Sequence, residues 1–492
     1  MTPRRYLPIL LLVTLAVGAL AIDQRSLWTD EIGTWSTAVA NGPMDWALRF
    51  WHHHNSDGQI PLYHLFMYLW TQAAGTSELA LRLANLPWLL LALLGLHRLR
   101  LEAPVRWLAI GIFCLHPLVW YQLNEARPYL LHLAGACWLM TGCINLLQAQ
   151  REDDTDTSWR ELLIGSFLLI GSSALGAFWI FGALAAFIAC NRPPLMSLIG
   201  AARRQPGFTL LLLLGCALII TVAAHSHLSG ARASLAASFS VGGLVYGFIE
   251  LLGAAGLGPS RHDLRTQLRL ADPTQLGMMF AAAVLLACCL LAAWRGLKGA
   301  RPRCFAAISL LLPIAMLAAV GLLLHWRVVG RHLSGALPLL CLAMACFAHK
   351  AWQEKQLIAR GLAAAMLLAL AASTLAIRVA DRHGKDDYRQ AAQWARAALQ
   401  EGKVVLWLAN ERAIGYYRLA GWTPDGIVDM PAKLIPFTHY PAYKATGAPA
   451  PDIVIYSPRE GVDPSGLARP LLQTGAYTRT DTAIAFELHQ KH

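Results

Sequence analysis

The stretch YLPILLLVTLAVGALAIDQRSLWTDE, residues 6–31, decides how the rest of the chain is read. Residues 6–22 carry no charged side chain, and Arg4 and Arg5 stand just before them. About 20 apolar residues in a helix cross the roughly 30 Å of hydrocarbon in a bilayer. Inside that layer the backbone must satisfy its own hydrogen bonds, which makes a single run of this kind a helix. Trp28, Thr29, Asp30 and Glu31 follow almost at once. Two adjacent acids at the mouth of an apolar core persist where they meet a substrate, a cation or a basic partner. No small-x-small cleavage pattern fits well after residue 22 and further spans follow, so the run is expected to remain as a first span.

The whole chain agrees with that start. Of its 492 residues 56% are apolar and only 14% charged, against about 25% charged in soluble domains. Mean hydropathy is +0.45. Apolar runs recur at 60–74, 79–96, 107–121, 129–147, 208–224, 276–294, 305–324, 333–347 and 361–377, with two short runs at 162–173 and 175–189 that read as a broken pair. With the first run this gives about eleven transmembrane helices. The net charge of +12 would point to nucleic acid in a soluble protein. Here most basic residues sit in short loops: Arg98, Arg100 and Arg106; Arg192, Arg203 and Arg204; Arg295, Lys298, Arg301 and Arg303; Lys350, Lys355 and Arg360. The positive-inside rule puts these loops in the cytoplasm and excludes nucleic acid as the partner. The segment after residue 22, the turn at Glu125, the 225–275 loop, the turn at 325–332 and the C-terminal tail are then periplasmic. The ten cysteines fall in or beside apolar spans, where they behave as small hydrophobes, and form no disulfide or zinc pattern.

Composition changes after about residue 381. The sequence predicts an amphipathic helix over 386–400, strands over 404–408, 452–456 and 482–488, and a second helix over 413–420. Alternation of this kind reads as a small α/β domain. The expected organisation is therefore a transmembrane catalytic domain over 1–380, with its first periplasmic loop at 23–59, and a soluble periplasmic α/β domain over 381–492.

Four segments carry chemistry. The carboxylates of Asp30 and Glu31 suit a general base for an acceptor hydroxyl, or oxygen ligation of a divalent cation such as Mg or Mn; the plainer alternative is an acid pair capping a short helix from Ile32. Arg127, in the turn Glu125-Ala126-Arg127-Pro128-Tyr129, offers a fork of donors suited to phosphate, or else pairs with Glu125. Arg327, Arg331 and His332, in the turn 325–332, suit an anionic head group, or else snorkel to the interface. His52, His53 and His54 with Asp57 invite a metal, but adjacent histidines on a helix point apart, so a polar substrate cleft is the better reading. Asp30 and Glu31, Glu125 and Arg127, and Arg327 and Arg331 are all expected on one face of the membrane. Carboxylates beside cations suit transfer from a phosphate leaving group.

As a set, these stretches resemble the polyprenyl-phosphate-dependent GT-C glycosyltransferases, nearest to the bacterial family 39 enzymes and their aminoarabinose- and mannosyl-transferring relatives. The likeness rests on Trp28-Thr29-Asp30-Glu31 after the first span, on Pro61-Leu62-Tyr63-His64-Leu65 through Trp70, and on Gly75-Thr76-Ser77-Glu78 leading to Leu81-Arg82-Leu83. Glu125-Ala126-Arg127-Pro128-Tyr129 and Gly330-Arg331-His332-Leu333 through Pro338 complete it, with His332 where the family usually has tyrosine. It covers roughly the first 350 residues.

The resemblance implies a GT-C polytopic helical membrane fold with an external C-terminal domain. It implies an inverting enzyme in the bacterial inner membrane, its active site facing the periplasm. The donor would be a sugar on a polyprenyl phosphate and the acceptor a glycolipid, polysaccharide or protein. Asp30 would take the catalytic role and Glu31 would assist with donor or cation. Arg127, Arg327 and Arg331 would bind the phosphate. His53, His54, Asp57, Tyr63, Glu125, Tyr129 and His332 would line the cleft. Two other readings share these features: a flippase of lipid-linked sugars, which would favour paired halves that this sequence lacks, and a glycan ligase using a polyprenyl diphosphate.

Overall fold

The computed structural model describes residues 6–52, 60–149, 152–191, 200, 203–228, 239–260, 272–323, 328–423, 426–458 and 468–492. Two compact units emerge. One comprises Met1–Ile22, Phe50–Phe66 and Arg82–His383; the other comprises Asp23–Arg49, Met67–Leu81 and Gly384–His492.

The first unit is a helical bundle. Among the described residues six helices are long and apolar enough to cross a membrane: Glu78–His97, Tyr129–Gln148, Pro273–Gly296, Ala300–Leu323, Gly330–Gln353 and Leu357–Val379. A seventh is the pair Ala103–Leu115 and Pro117–Leu123, bent by 57° where Pro117 opens the second half. Leu7–Ala21, Gly176–Cys190 and Val241–Leu252 are shorter apolar helices. This is an integral membrane protein.

The expected broken pair takes a different form. Glu152–Ser172 is one helix, starting ten residues before the apolar run, and Gly176–Asn191 follows it. The acidic first turns suit the positive end of a helix, and they meet the basic loops. Arg98 pairs with Glu161 at 2.6 Å, Arg100 with Asp154 at 3.1 Å and Arg204 with Asp156 at 2.9 Å. Asn145 closes the network, donating to Glu161 Oε2 at 2.7 Å and to the Arg98 carbonyl at 3.0 Å.

That helix packs backbone to backbone on Tyr129–Gln148. A Cβ at Gly135 would strike the Leu169 backbone, one at Gly142 the Leu162 backbone, and one at Gly165 the Leu139 backbone. Apolar side chains gain little by leaving apolar lipid, so close approach through small residues is what holds membrane helices together.

The second unit holds a five-stranded sheet. Its strands are β1 (Val405–Leu408), β4 (Leu434–Pro436), β5 (Ile453–Tyr456), β6 (Tyr477–Ala483) and β7 (Phe486–Lys491), in the order β4-β1-β5-β7-β6. β1 runs parallel to β4 and β5, while β7 is antiparallel to β5 and β6. β2 (Gly421–Thr423) and β3 (Gly426–Val428) form a separate hairpin. All four residues of β1 are buried, as a strand covered on both faces requires. The expected helices and strands appear as Tyr388–Gln400, Arg412–Tyr416, β1 and β5, and the expected third strand is the β6–β7 hairpin. β4 escapes notice because it is three residues long and ends in Pro436, which an edge strand tolerates. The same unit takes in two helices from the polar-aromatic segment, Thr29–Ala38 and most of Pro43–His52.

The glycine contact gives the first test. Gly165→Val is expected to destabilise the bundle by about 1–3 kcal/mol or more, seen as a lower thermal midpoint in detergent. Gly111→Ala, where an added Cβ meets nothing within 4 Å, is expected to leave the midpoint unchanged or raise it, since Ala favours helix by about 1 kcal/mol over Gly. Equal effects at the two positions would contradict the backbone packing.

Candidate functional site

Asp30 and Glu31, two of the expected site residues, lie in the second unit. The Thr29–Ala38 helix begins one residue before the acid pair, so both acids sit in its first turn. Their side chains diverge in use. Glu31 is fully buried. Its Oε2 accepts from the Trp28 backbone N–H at 3.3 Å and from Lys385 Nζ at 3.0 Å. Lys385 is itself only 9% exposed along its side chain. A buried carboxylate is tolerable when paired and hydrogen-bonded in this way. Glu31 thus serves as the return half of a capping box and as one partner of a buried ion pair. Asp30, one position earlier, is half-buried. Its backbone carbonyl accepts from Thr34 Oγ1 at 3.3 Å.

The residues before the acids are held by the C-terminal part of the same unit. Tyr417 Oη contacts Ser26 Oγ at 2.8 Å, accepts from the Leu27 N–H at 3.2 Å and donates to Glu78 Oε1 at 2.9 Å. Burial pushes the Tyr417 hydroxyl well above the usual phenol range, so it keeps the proton that it donates. Arg389 pairs with Glu78, and its backbone N–H donates to Ser26 Oγ at 3.2 Å. Thr29 Oγ1 lies 3.2 Å from Tyr388 Oη, which accepts from the Asn410 N–H at 3.3 Å. Trp35 meets Tyr416 edge to face at 5.2 Å.

Others of the expected residues lie in the helical unit. The turn 124–128 is built on Asn85, whose Nδ2 donates to the carbonyls of Gln122 (3.3 Å), Leu123 (3.0 Å) and Glu125 (2.6 Å). These are carbonyls at a helix end, which need outside donors. The Arg127 N–H returns to the Glu125 carbonyl at 2.7 Å, and Pro128 leads into the Tyr129–Gln148 helix. Glu125 and Arg127 are buried. The Arg331 guanidinium carbon stands 5.3 Å from the centre of the Tyr129 ring, a cation–π contact joining the two expected turns. His332 Nδ1 accepts from the Val329 N–H at 3.3 Å, and its carbonyl accepts from Trp179 Nε1 at 3.3 Å. Tyr63 and His64 are fully buried, their rings edge to face at 6.3 Å.

A further acid joins this turn. Glu250, 4% exposed, lies on the Val241–Leu252 helix, and its carboxylate fills the space where a side chain on Gly330 would begin. Gly330 is required there for that reason.

Asp30 and Glu31 therefore share one turn of one unit. Glu125, Arg127, Tyr129, Arg331, His332 and Tyr63 belong to the helical unit. His53, His54, Asp57 and Arg327 lie outside the described residues. Among the described residues no three His, Cys, Asp or Glu side chains converge as metal ligands. Lys385, Tyr388, Tyr417, Arg389 and Glu250 were not foreseen. The first four come from a domain that sequence patterning resolves only into elements, and Glu250 sits inside a glycine-rich apolar run.

No protein-family model matches this sequence, and no curated protein matches it closely. The fold is similar to a crystal structure of ArnT from Cupriavidus metallidurans in the apo state, with 13% sequence identity and a TM-score of 0.50, covering 99% of this chain and 98% of that one. The fold is GT-C.

Two tests follow from the geometry. Lys385→Met and Glu31→Gln are each expected to cost about 3 kcal/mol, because each strands a buried partner. The double variant is expected to lose much less than their sum. Additive losses in a thermal-unfolding cycle would mean that the two groups are not coupled. Gly330→Ala is expected to lower the yield of folded protein, and Glu250→Ala in the same chain to restore it; failure of that rescue would remove the steric account.

Proposed function

We propose that this chain is an inverting glycosyltransferase that moves a sugar from a polyprenyl-phosphate carrier to a hydroxyl-bearing acceptor, a glycolipid, polysaccharide or protein, at the periplasmic face of a bacterial inner membrane. The observation that carries the reading is the GT-C fold over nearly the whole chain, with a half-exposed Asp30 at the start of the first helix after the first span. A fold alone does not name a reaction, so the assignment rests on what the side chains can do.

Asp30 accepts the proton of the acceptor hydroxyl. The hydroxyl oxygen attacks the anomeric carbon from the side opposite the phosphate. The bond from that carbon to the phosphate oxygen breaks, its electron pair stays on the phosphate, and the configuration inverts. Charge therefore grows on the phosphate as it leaves. Arg127 and Arg331, with Arg327, meet it, since fixed cations aimed at developing charge lower the barrier most. Glu31 supports this through Lys385 and the Trp28 N–H, which fix the turn that carries Asp30. Glu125, Tyr129, His332 and Tyr63, with His53, His54 and Asp57, line the cleft. A divalent cation, where the reaction uses one, would take Asp30 as an oxygen ligand.

The test is transfer from radiolabelled polyprenyl-phosphate sugars by protein in nanodiscs, with and without chelator. Wild type is expected to move label to a new product. Asp30→Asn, which keeps size and removes charge, is expected to lower turnover by about a hundredfold or more with donor binding retained. Arg331→Ala is expected to raise the donor KM by roughly tenfold or more. Near-wild-type turnover in Asp30→Asn would overturn the base assignment. Folded protein that binds the carrier and leaves it intact would indicate a flippase or a diphosphate-dependent ligase.

A further inference from the structure

The external α/β fold has a feature that its role as a support does not use. Its parallel strands run β1, then β4, then β5 along the chain but lie in the order β4-β1-β5. The chain leaves β1 for one side and later returns to the other, so the connections part between β1 and β5. In open α/β sheets the crevice outside the carboxyl ends of the strands, at such a switch point, is where ligands bind.

Here those carboxyl ends are Asn410, two residues past β1, and Ser457, directly after β5. Two observations mark the place. Ser457 is 1% exposed, and its Oγ meets no hydrogen-bond partner among the described residues. Its backbone N–H is spent on the Leu408 carbonyl at 3.1 Å, which fixes the residue at the end of β1. A buried hydroxyl left in this state is costly, and such groups call for an account. Second, the β1 end is tied to the acid pair. The Asn410 N–H donates to Tyr388 Oη at 3.3 Å, and Tyr388 Oη lies 3.2 Å from Thr29 Oγ1, the residue before Asp30. Asn410 Oδ1 accepts from the Arg412 N–H at 2.9 Å, which turns the chain into the short helix packed beside the Thr29–Ala38 helix. Asn410 and Arg412 are half-exposed, as Asp30 is.

We infer that the carboxyl edge of β1 and β5, marked by Asn410, Arg412 and Ser457, is the acceptor subsite, and that it takes the hydroxyl-rich sugar portion of the acceptor. The inference rests on the glycosyltransferase reading: a base at Asp30 needs the acceptor hydroxyl within hydrogen-bond reach, and within this unit the edge adjoining Thr29 and Asp30 is this one. An amide and a hydroxyl can meet a sugar hydroxyl as donor or acceptor, and a guanidinium donates to it. The same chemistry serves a sugar on a lipid and a sugar free in solution.

The experiment uses full-length protein in nanodiscs with radiolabelled polyprenyl-phosphate sugars and two acceptor arms, a panel of methyl glycosides and a total membrane-lipid extract. Ser457→Ala discriminates. If Ser457 only packs, removing a hydroxyl without a partner leaves the thermal midpoint unchanged or raises it and leaves the kinetics alone. If it binds acceptor, the acceptor KM rises by about three- to tenfold while the donor KM stays put. Arg412→Ala is expected to act in the same direction and Arg412→Lys to recover part of the loss. A rise with glycosides identifies a soluble sugar as sufficient; a rise only with the extract identifies a lipid-borne one; either supports the subsite. Unchanged acceptor KM in both variants with an active wild type overturns the subsite alone. A wild type inactive in both arms overturns the transferase reading and the subsite with it.

Discussion

The ion pair between Glu31 and Lys385 is the contact on which the turn at Trp28–Glu31 depends. Its partners lie 354 residues apart, and both are withdrawn from water, Glu31 completely. Desolvating two charges is expensive, and their attraction offsets that only when the geometry is good and further hydrogen bonds help. The Trp28 N–H supplies such a bond from the other direction. The result fixes the first turn of the Thr29–Ala38 helix from two sides, and Asp30 is part of that turn. A carboxylate acting as a general base must be held within about half an ångström of its productive position. The buried charge of Glu31 constrains the turn that carries Asp30.

The membrane part of the fold was legible because bilayers impose a coarse rule. Length and apolarity locate a span, and the observed helices Tyr129–Gln148, Pro273–Gly296 and Leu357–Val379 stand within a few residues of the runs that announce them. Where the rule misleads, charge is the reason. Glu152–Ser172 starts with four acids in its first five residues, EDDTD, and a reading that treats acids as loop begins the helix ten residues late. Those acids are stabilised by the helix dipole and, at Asp154 and Asp156, by Arg100 and Arg204, while Arg98 pairs with Glu161 further along the helix. The basic loop residues that set topology are the same ones that solvate the acids. Neither group betrays the pairing in sequence, because the partners are up to 63 residues apart.

The site divides along similar lines. Asp30 and Glu31 stand out in sequence because adjacent acids beside an apolar run have few reasons to exist. Their different roles do not stand out. Glu31 is read equally well as a ligand, a base or a cap, and only the position of Lys385 decides among these. Arg331 and Tyr129 were each visible as polar residues at span ends, but their stacking depends on how two turns meet. Glu250 was hidden by its surroundings. Its helix reads as apolar and glycine-rich, and the signal for a buried acid is a single letter whose meaning comes from Gly330, eighty residues later.

The contacts within the second unit give a physical reason why residues 23–49 belong with the α/β fold. Residues 23–49 hold the Thr29–Ala38 helix and most of the Pro43–His52 helix, each ten residues long. Isolated helices of about ten residues are marginal in water, so their order must come from partners. Tyr388, Arg389, Tyr416 and Tyr417 supply it, through hydrogen bonds to Ser26, Leu27 and Thr29 and an aromatic contact to Trp35. Three of these four are tyrosines, which combine apolar area with a hydroxyl that can reach a backbone group. They come from the helix before β1 and from the short helix after it with its C-cap, the two elements that flank the fully buried strand β1. The rigidity of the sheet is thereby transmitted over a few ångströms to the turn bearing Asp30. The turn bearing Asp30 and Glu31 is thus ordered by residues more than 350 positions further along the chain.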